Sequence, residues 1–465
     1  MSPEAFRAAG YAAIDWIVRY LEQIESYPVR SRAEPGQLRR RLPRAAPEQG
    51  ESFDDVLRDL DELILPGITH WQSPGFFAYF PANSSPPGIL GELLSVGLGV
   101  QGMMWVTSPA ATELESHVLD WLVGALGLPE AFLCTGAGGG VIQDSASSAA
   151  LCALVAAREQ TRGEGGLRRL RLYASTQAHS SIAKGAKIAG FEPDQLRLIE
   201  VDDALAMRPD ALAAAIEADV ADGVRPCFVC ATVGTTATTA IDPVPAIAEI
   251  CRPHGVWLHV DGAYAGSAAI CPELRWVNEG LDQVDSYCFN PHKWLLTPFD
   301  CTVLWVADRR PLIDAMRIDP DYLHNAASAS EAVIDYRDWH VPLGRRFRAL
   351  KLWTVLRSYG LQGLRDHVRR HVQLAQQLAE RIDAHPRLER LAPTRLGLVC
   401  FRLRASDEDN QRLLDALNDS GALYLTHARV HDRLFLRMAV GGRLTEARHV
   451  EAAWAQIVSR VGDPG

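Results

Sequence analysis

The strongest constraint on how this chain can fold is a series of short apolar runs at 170–173, 196–201, 227–233, 256–260, 286–289 and 302–306. The runs are nearly continuous rather than alternating, which predicts strands buried on both faces. Helical patterns at 210–219 and 244–251 lie between several of them. Strand and helix in turn predict an α/β fold, a mostly parallel central sheet flanked by helices. Upstream, Thr112-x-x-Glu115 reads as a capping box, with Leu114, Val118, Trp121, Leu122 and Ala125 at helical spacing behind it. A second helix is predicted from near Gly140, carrying Ala150, Leu151, Leu154 and Val155.

At 465 residues the chain has room for roughly three domains of ~150 residues each. Residues 1–85 read as an N-terminal helical segment, with helices near 8–26 and 53–63. Residues 86–360 read as the large domain. Residues 361–465 read as a small C-terminal α+β domain opening on a long helix at 361–382. Arg30, Arg32, Arg39, Arg40, Arg41 and Arg44 cluster in a proline-punctuated stretch. A net charge of −10 and a pI near 5.8 argue for a solvated or interface segment there, and against nucleic-acid binding. The apolar window 88–106 contains Glu92, Gln101 and several glycines, so no membrane span is predicted. Charges at Glu4, Arg7, Asp15, Arg19 and Glu22 break the layout a signal peptide needs. Nine cysteines, an odd number, suit a reducing compartment and a cytoplasmic protein. Cys227 and Cys230 share one predicted strand and face opposite sides of it, so they read as core residues rather than a metal or redox pair.

Four segments carry candidate chemistry, and three of them have an ordinary structural alternative. Gly138-Gly-Gly140 leads into Ser145-Ala146-Ser147 at a predicted helix start, where free N–H groups favour a phosphate. A tight turn with serine caps fits equally, and the absence of a lysine before Ser145 excludes a P-loop. Val256–Asp261 is an apolar strand ending in a carboxylate, which is where open α/β sheets bind ligands. Such a carboxylate can keep a ring nitrogen protonated. Lys293, in Asn290-Pro-His-Lys293-Trp, follows another strand, where its amine could react with a carbonyl; a lone lysine is otherwise a surface charge. His179, in Gln177-Ala-His179-Ser-Ser, could stack on a planar ring, carry a proton or be structural. The segment 70–81, dense in aromatics, reads as a pocket wall or buried interface.

Together these segments resemble the group II pyridoxal-5′-phosphate (PLP) decarboxylases, most closely the aromatic L-amino-acid decarboxylases. The matching stretches are "FFAYFP" at 76–81, "SPA.TELE" at 108–115, "GGGVIQ.SAS" at 138–147, "QAHSS" at 177–181, "HVD.AYAGSA" at 259–268, "NPHKWLL" at 290–296 and "LGRRFR" at 343–348. They span about residue 8 to residue 460 in the family's order. The resemblance implies a PLP-dependent transferase type I fold and a homodimer with shared active sites, the N-terminal segment wrapping the partner. It implies that Lys293 holds PLP covalently, that Asp261 pairs with the pyridine nitrogen, and that His179 and Ala263 lie on the two ring faces. Ser145, Ala146, Ser147 and Asn290 would bind the phosphate, with Thr236 and His292 in support. Tyr322 would return a proton to Cα after CO₂ leaves, and the small residues 326–330 would belong to a closing lid. Trp71, Tyr79, Phe80, Pro81 and Ala82 would line the substrate pocket. Gln101 and Met103 of the partner subunit would complete it, and Gly344 would border the substrate ring.

The chain departs from the family at Asp144 and Ser148, where Gly and Glu are common around "SAS". Ala82 replaces a common hydroxyl-bearing residue, and Gln101 and Met103 replace large apolar or aromatic ones. The resemblance implies decarboxylation of an aromatic L-amino acid to an arylalkylamine. An aromatic aldehyde synthase and a non-catalytic PLP-binding protein are the other readings. Tyr322 and His179 together favour the decarboxylase, because relatives with altered chemistry often change one of them. His367 and His371 have zinc-protease spacing but lack its glutamate, so a solvated helix face and no metal are predicted.

Overall fold

The computed structural model describes residues 1–162, 166–318, 320–323, 325–329 and 332–461; the side chain of Tyr322 also lies outside the described set. The chain divides into two compact units.

The larger unit comprises Ala82–Gln376 and Ala392–Cys400. Its seven strands are β1 (Gly139–Gln143), β2 (Leu170–Ser175), β3 (Leu196–Ile199), β4 (Arg225–Thr232), β5 (Trp257–Asp261), β6 (Ser286–Phe289) and β7 (Thr302–Val306), in the spatial order β1-β7-β6-β5-β4-β2-β3. The pairs β2/β3, β2/β4, β4/β5 and β5/β6 are parallel, and β7 runs against both β6 and β1. Only β7 is reversed, so the carboxyl ends of β1, β2, β4, β5 and β6 share one edge of the sheet with the first residue of β7. The central strands are buried throughout, as continuous apolar runs require. The helix Ala146–Thr161 packs on the sheet through Ala149, Ala153, Ala156 and Ala157, whose small side chains let it sit close to Leu172, Ala174, Phe228 and Cys230.

Two expectations need correction here. The glycine run before Ser145 leads into strand β1, which starts at Gly139, rather than into a helix; the helix begins only at Ala146. A Cβ on Gly140 would lie 2.7 Å from the Trp305 indole nitrogen, and one on Gly138 2.0 Å from the Ala131 carbonyl. These glycines serve close packing. Nor does Thr112 open a capping box. The helix Pro109–Leu126 starts earlier, capped by Ser108, which accepts from Ala111 N–H at 3.3 Å. Glu115 is thereby freed for another task, described below.

The smaller unit comprises Met1–Pro81, Gln377–Leu391 and Phe401–Gly465. The second sheet has four strands, β8 (Leu388–Arg390), β9 (Leu398–Leu403), β10 (Thr426–Val430) and β11 (Arg433–Ala439), in the order β10-β11-β9-β8. The helix Asp407–Asp419 is capped by Ser406. The N-terminal helix Pro3–Glu22 buries none of its residues and leaves Phe6 and Tyr11 exposed. It is tied to Asp61 by Trp16 Nε1 at 2.8 Å and Arg19 at 2.7 Å. Trp71 stacks on Tyr79 at 5.7 Å and packs on Phe76 at 4.4 Å, while Phe80 is buried beneath Arg437. All nine cysteines are free thiols, and eight are buried. Among the described residues, no helix is long and apolar enough to cross a membrane.

Candidate active site

Four of the sequence candidates emerge side by side because their strands are neighbours. Asp261 ends β5, and Lys293 sits on the one-turn helix Pro291–Trp294 just after β6. Thr236 follows β4, and His179 follows β2. Ser145 follows β1 at the same edge. Backbone hydrogen bonds brace these turns against one another. Val233 N–H donates to Asp261 O at 2.9 Å, Gly262 N–H to Cys288 O at 2.9 Å, and Asn290 N–H to Ala263 O at 3.1 Å.

Asp261 is 5% exposed. Its Oδ1 accepts from Ala263 N–H at 2.9 Å, while Oδ2 has no hydrogen-bond partner among the described residues. A nearly buried carboxylate oxygen left open in this way suits a cationic N–H donor, as a protonated ring nitrogen would supply. His259, two residues earlier on the same face, is held by Ser286 Oγ at 2.8 Å. Burial depresses its pKa to about 4 against the pull of Asp261, so it stays neutral behind the carboxylate. The exposed His179 ring meets Ser181 Oγ at 2.9 Å through Nδ1. Desolvation lowers its pKa, Asp261 opposes that shift and the Lys293 ammonium adds to it. A neutral imidazole can lie flat on an aromatic ring without bringing in charge.

The lysine turn is fixed from several sides. The Asn83 side-chain amide donates to Lys293 O at 2.6 Å, and Asn83 N–H donates to His292 O at 3.1 Å. His292 accepts from Cys301 N–H through Nδ1 at 3.1 Å, and its pKa is pushed down to about 3, first by burial and then by Lys293. It is a neutral structural support. Lys293 itself is half-buried.

At the helix start, Ser145 Oγ accepts from Ser148 N–H at 3.2 Å and lies 2.9 Å from Asp144. Its oxygen is occupied as a cap, which leaves the first-turn N–H groups of Ala146 and Ser147 pointing outward. Thr302 Oγ1 donates to Asn290 Oδ1 at 2.9 Å. The Asn290 amide therefore presents its NH₂ donors to the edge, as an anion requires. Asn83 and Thr302 were not found from the sequence. Both carry ordinary side chains whose partners lie in distant segments or one strand away.

Glu115 and Arg345 were missed as well. Glu115 accepts Ile142 N–H through Oε1 at 2.8 Å and pairs with Arg345 at 2.7 and 3.0 Å; Arg345 in turn donates to Ile142 O at 2.9 Å. The pair thus completes the open edge of β1, the strand that delivers Ser145. Arg345 N–H also donates to Gln101 Oε1 at 2.6 Å, and a Cβ on Gly344 would sit 3.3 Å from Gln101 Nε2. Gln101 and Gly344 are therefore one patch. Met103 joins it by accepting Arg337 N–H at 2.8 Å. Trp71, Tyr79, Phe80 and Pro81 belong to the smaller unit, and Ala82 opens the larger.

A cavity of about 1160 Å³ contains none of these cofactor candidates. It is lined by Trp105, Glu113, Cys134, Arg309, Leu323 and Trp339 among others. The proposed proton donor Tyr322 has its backbone in the short turn Asp321–Leu323, while its side chain, like Ser330 of the expected lid, is outside the described residues. The expected lid includes one helical turn, Ala326–Ala329, capped by Asn325 on Ser328 N–H at 2.9 Å. The pair His367 and His371 is buried rather than solvated. Among the described residues no cluster could hold a metal.

Residues 35–404 match the family model described as the pyridoxal-dependent decarboxylase conserved domain. The chain is 47% identical to phenylacetaldehyde synthase of Arabidopsis thaliana, over 98% of this chain and 95% of that one. It is 46% identical to tyrosine decarboxylase 4 of Petroselinum crispum, over 98% and 92% respectively. The crystal structure of Oryza sativa TDC with PLP and tryptamine superposes with a TM-score of 0.97 at 41% identity, covering 99% of this chain and 98% of that one.

Proposed function

The chain belongs to the pyridoxal-dependent decarboxylases, and from that premise we propose that it is a carboxy-lyase converting aromatic L-amino acids of the tryptophan, DOPA, tyrosine or phenylalanine type to arylalkylamines and CO₂. The observation that carries the reading is the half-open, buried Asp261 carboxylate beside Lys293 and His179. Lys293 would hold PLP through its aldehyde, and the bound cofactor would supply an electron sink for the carboxylate's bonding electrons. Asp261 would keep the ring nitrogen protonated, and His179 and the small Ala263 would flank the ring. Ala146 and Ser147 N–H groups and the Asn290 amide hold the phosphate, with Ser145 shaping the turn and Thr236 and His292 supporting. Tyr322 protonates Cα. Trp71, Tyr79, Phe80, Pro81 and Ala82 form the substrate wall.

The same reading includes a homodimer, with Gln101, Met103 and Gly344 of the partner subunit facing the substrate. The helix Pro86–Leu98 supports it. Gly88 and Gly91 pack inward, whereas Leu90, Leu93, Leu94, Val96 and Leu98 are exposed, an apolar face suited to a second copy. The uncovered apolar side chains of helix Pro3–Glu22 support it too. A reducing, cytoplasmic location is supported by the nine free thiols.

The phenylacetaldehyde synthase relative raises a second reading, oxygen-dependent decarboxylation with loss of the amine. The presence of Tyr322 and His179 favours amine formation. Incubating the PLP-loaded protein with separate aromatic amino acids and weighing the products tests this. We expect amines from at least one indolic and one phenolic or catechol substrate, and little turnover of glutamate or histidine. Aldehyde as the main product, or a preference for histidine, overturns the reading.

Two variants probe it further. Asp261→Ala should weaken PLP retention and cut kcat by about 10²–10³-fold, since an electrostatic stabiliser of the developing charge is lost. An unchanged kcat at saturating PLP removes Asp261 from that role. Gly344→Ser should lower kcat/KM on indolic substrates by on the order of tenfold and on phenolic ones by less, because the added atoms narrow the space for the wider ring. Equal losses on both would show that Gly344 does not border the ring.

A further inference from the structure

The buried histidine pair has no part in the reading so far. His367 and His371 lie one helical turn apart on the helix Arg348–Ala384, their rings edge to face at 4.3 Å, and His371 is fully buried. The Trp294 indole N–H donates to His371 Nδ1 at 3.1 Å. An indole nitrogen can only donate, so Nδ1 must be the bare, accepting nitrogen of a neutral ring.

Trp294 directly follows Lys293. It is 1% exposed and lies face to face on Tyr264, with centroids 4.9 Å apart and planes 10° apart. Tyr264 directly follows Ala263, whose N–H is held by Asp261. The stack therefore joins the turn after β5 to the turn after β6, and His371 anchors its Trp294 end.

We infer that His371 is a positioning residue for Lys293. The lysine rides on a helix of four residues, too short to hold its own orientation. Successive side chains on such a turn project about 100° apart, so fixing Trp294 by both its face and its N–H sets where Lys293 points. The stack fixes the plane of the indole but not the direction in which its N–H points within that plane. The hydrogen bond to His371 removes that freedom, and it is made by a residue 78 positions from Lys293 that need not touch the cofactor. Three groups on different elements thus orient one amine.

The inference rests on Lys293 being the cofactor lysine. If wild-type apoprotein forms no borohydride-trappable adduct with PLP at Lys293, that reading fails first. Otherwise, the rate of adduct formation is compared in His371→Leu, Trp294→Phe, the double variant and His371→Gln. Trp294→Phe keeps the stack but loses the donor; His371→Gln restores an acceptor. Adduct formation should slow on the order of 10- to 100-fold in each of the first two, with kcat falling more than KM changes. The double variant should be no slower than the worse single, and His371→Gln should recover most of the rate. Apoprotein melting temperatures control for folding, and Trp294→Phe and His371→Gln carry the test if His371→Leu does not fold. Wild-type rates in Trp294→Phe, fully additive losses in the double variant, or no recovery in His371→Gln overturn the inference.

Discussion

Lys293→Ala is expected to abolish turnover of every amino acid and to remove the visible absorbance of the loaded protein. The effect should be the largest of any single substitution, because covalent catalysis has no substitute nucleophile at this edge. His292 is buried and neutral with Nδ1 engaged by Cys301 N–H, and Lys351 is enclosed beside Glu92 at 2.9 Å. The variant should still fold and retain some PLP, because the helix-start N–H groups, Asn290 and Asp261 are unaltered. Absorbance spectra of the dialysed protein and a radiolabelled CO₂ release assay measure both effects. Normal turnover with an intact visible band would remove Lys293 from the reaction.

Tyr322→Phe should change the product rather than only the rate. The ring is kept and the proton donor lost, so amine formation should fall by roughly 10²-fold or more, the usual worth of a positioned acid. If Tyr322 supplies that proton, its loss should divert substrate to the oxygen-dependent route, so aldehyde, ammonia and peroxide should rise under air and fall under nitrogen. Amine at the wild-type rate would show that another group delivers the proton. Co-expression of this variant with Lys293→Ala adds a second outcome. One subunit lacks the lysine and the other the tyrosine, so recovered amine means that each site draws these residues from different subunits. Its absence means that both come from one chain.

The large-sheet strands were legible because burial on both faces leaves long apolar runs: 286–289 and 302–306 coincide with β6 and β7. Asp261 and Lys293 were legible for the same reason, as polar residues at the ends of such runs. β1 was not, because its glycines answer to the Trp339 and Trp305 rings, which local pattern cannot reveal. The Glu115–Arg345 pair joins residues 230 apart in sequence. His367 and His371 were misread as a solvated face because they were weighed only as a metal motif, by their spacing and the missing glutamate. Their phase was the better signal, because they fall on the buried stripe of Leu364, Val368, Val372 and Ala375.

The Glu115–Arg345 pair also has a bearing on how copies of this chain can meet. An outermost strand normally offers a row of bare amides and carbonyls as a template for a foreign strand. On β1 both groups of Ile142 are already taken by side chains, and the pair that takes them is sealed from water, at 2–3% side-chain exposure. Breaking such a pair leaves a stranded charge at a cost of about 3–5 kcal/mol, so an invading strand meets a lock rather than a vacancy. Ribbon-to-ribbon growth is disfavoured at this margin.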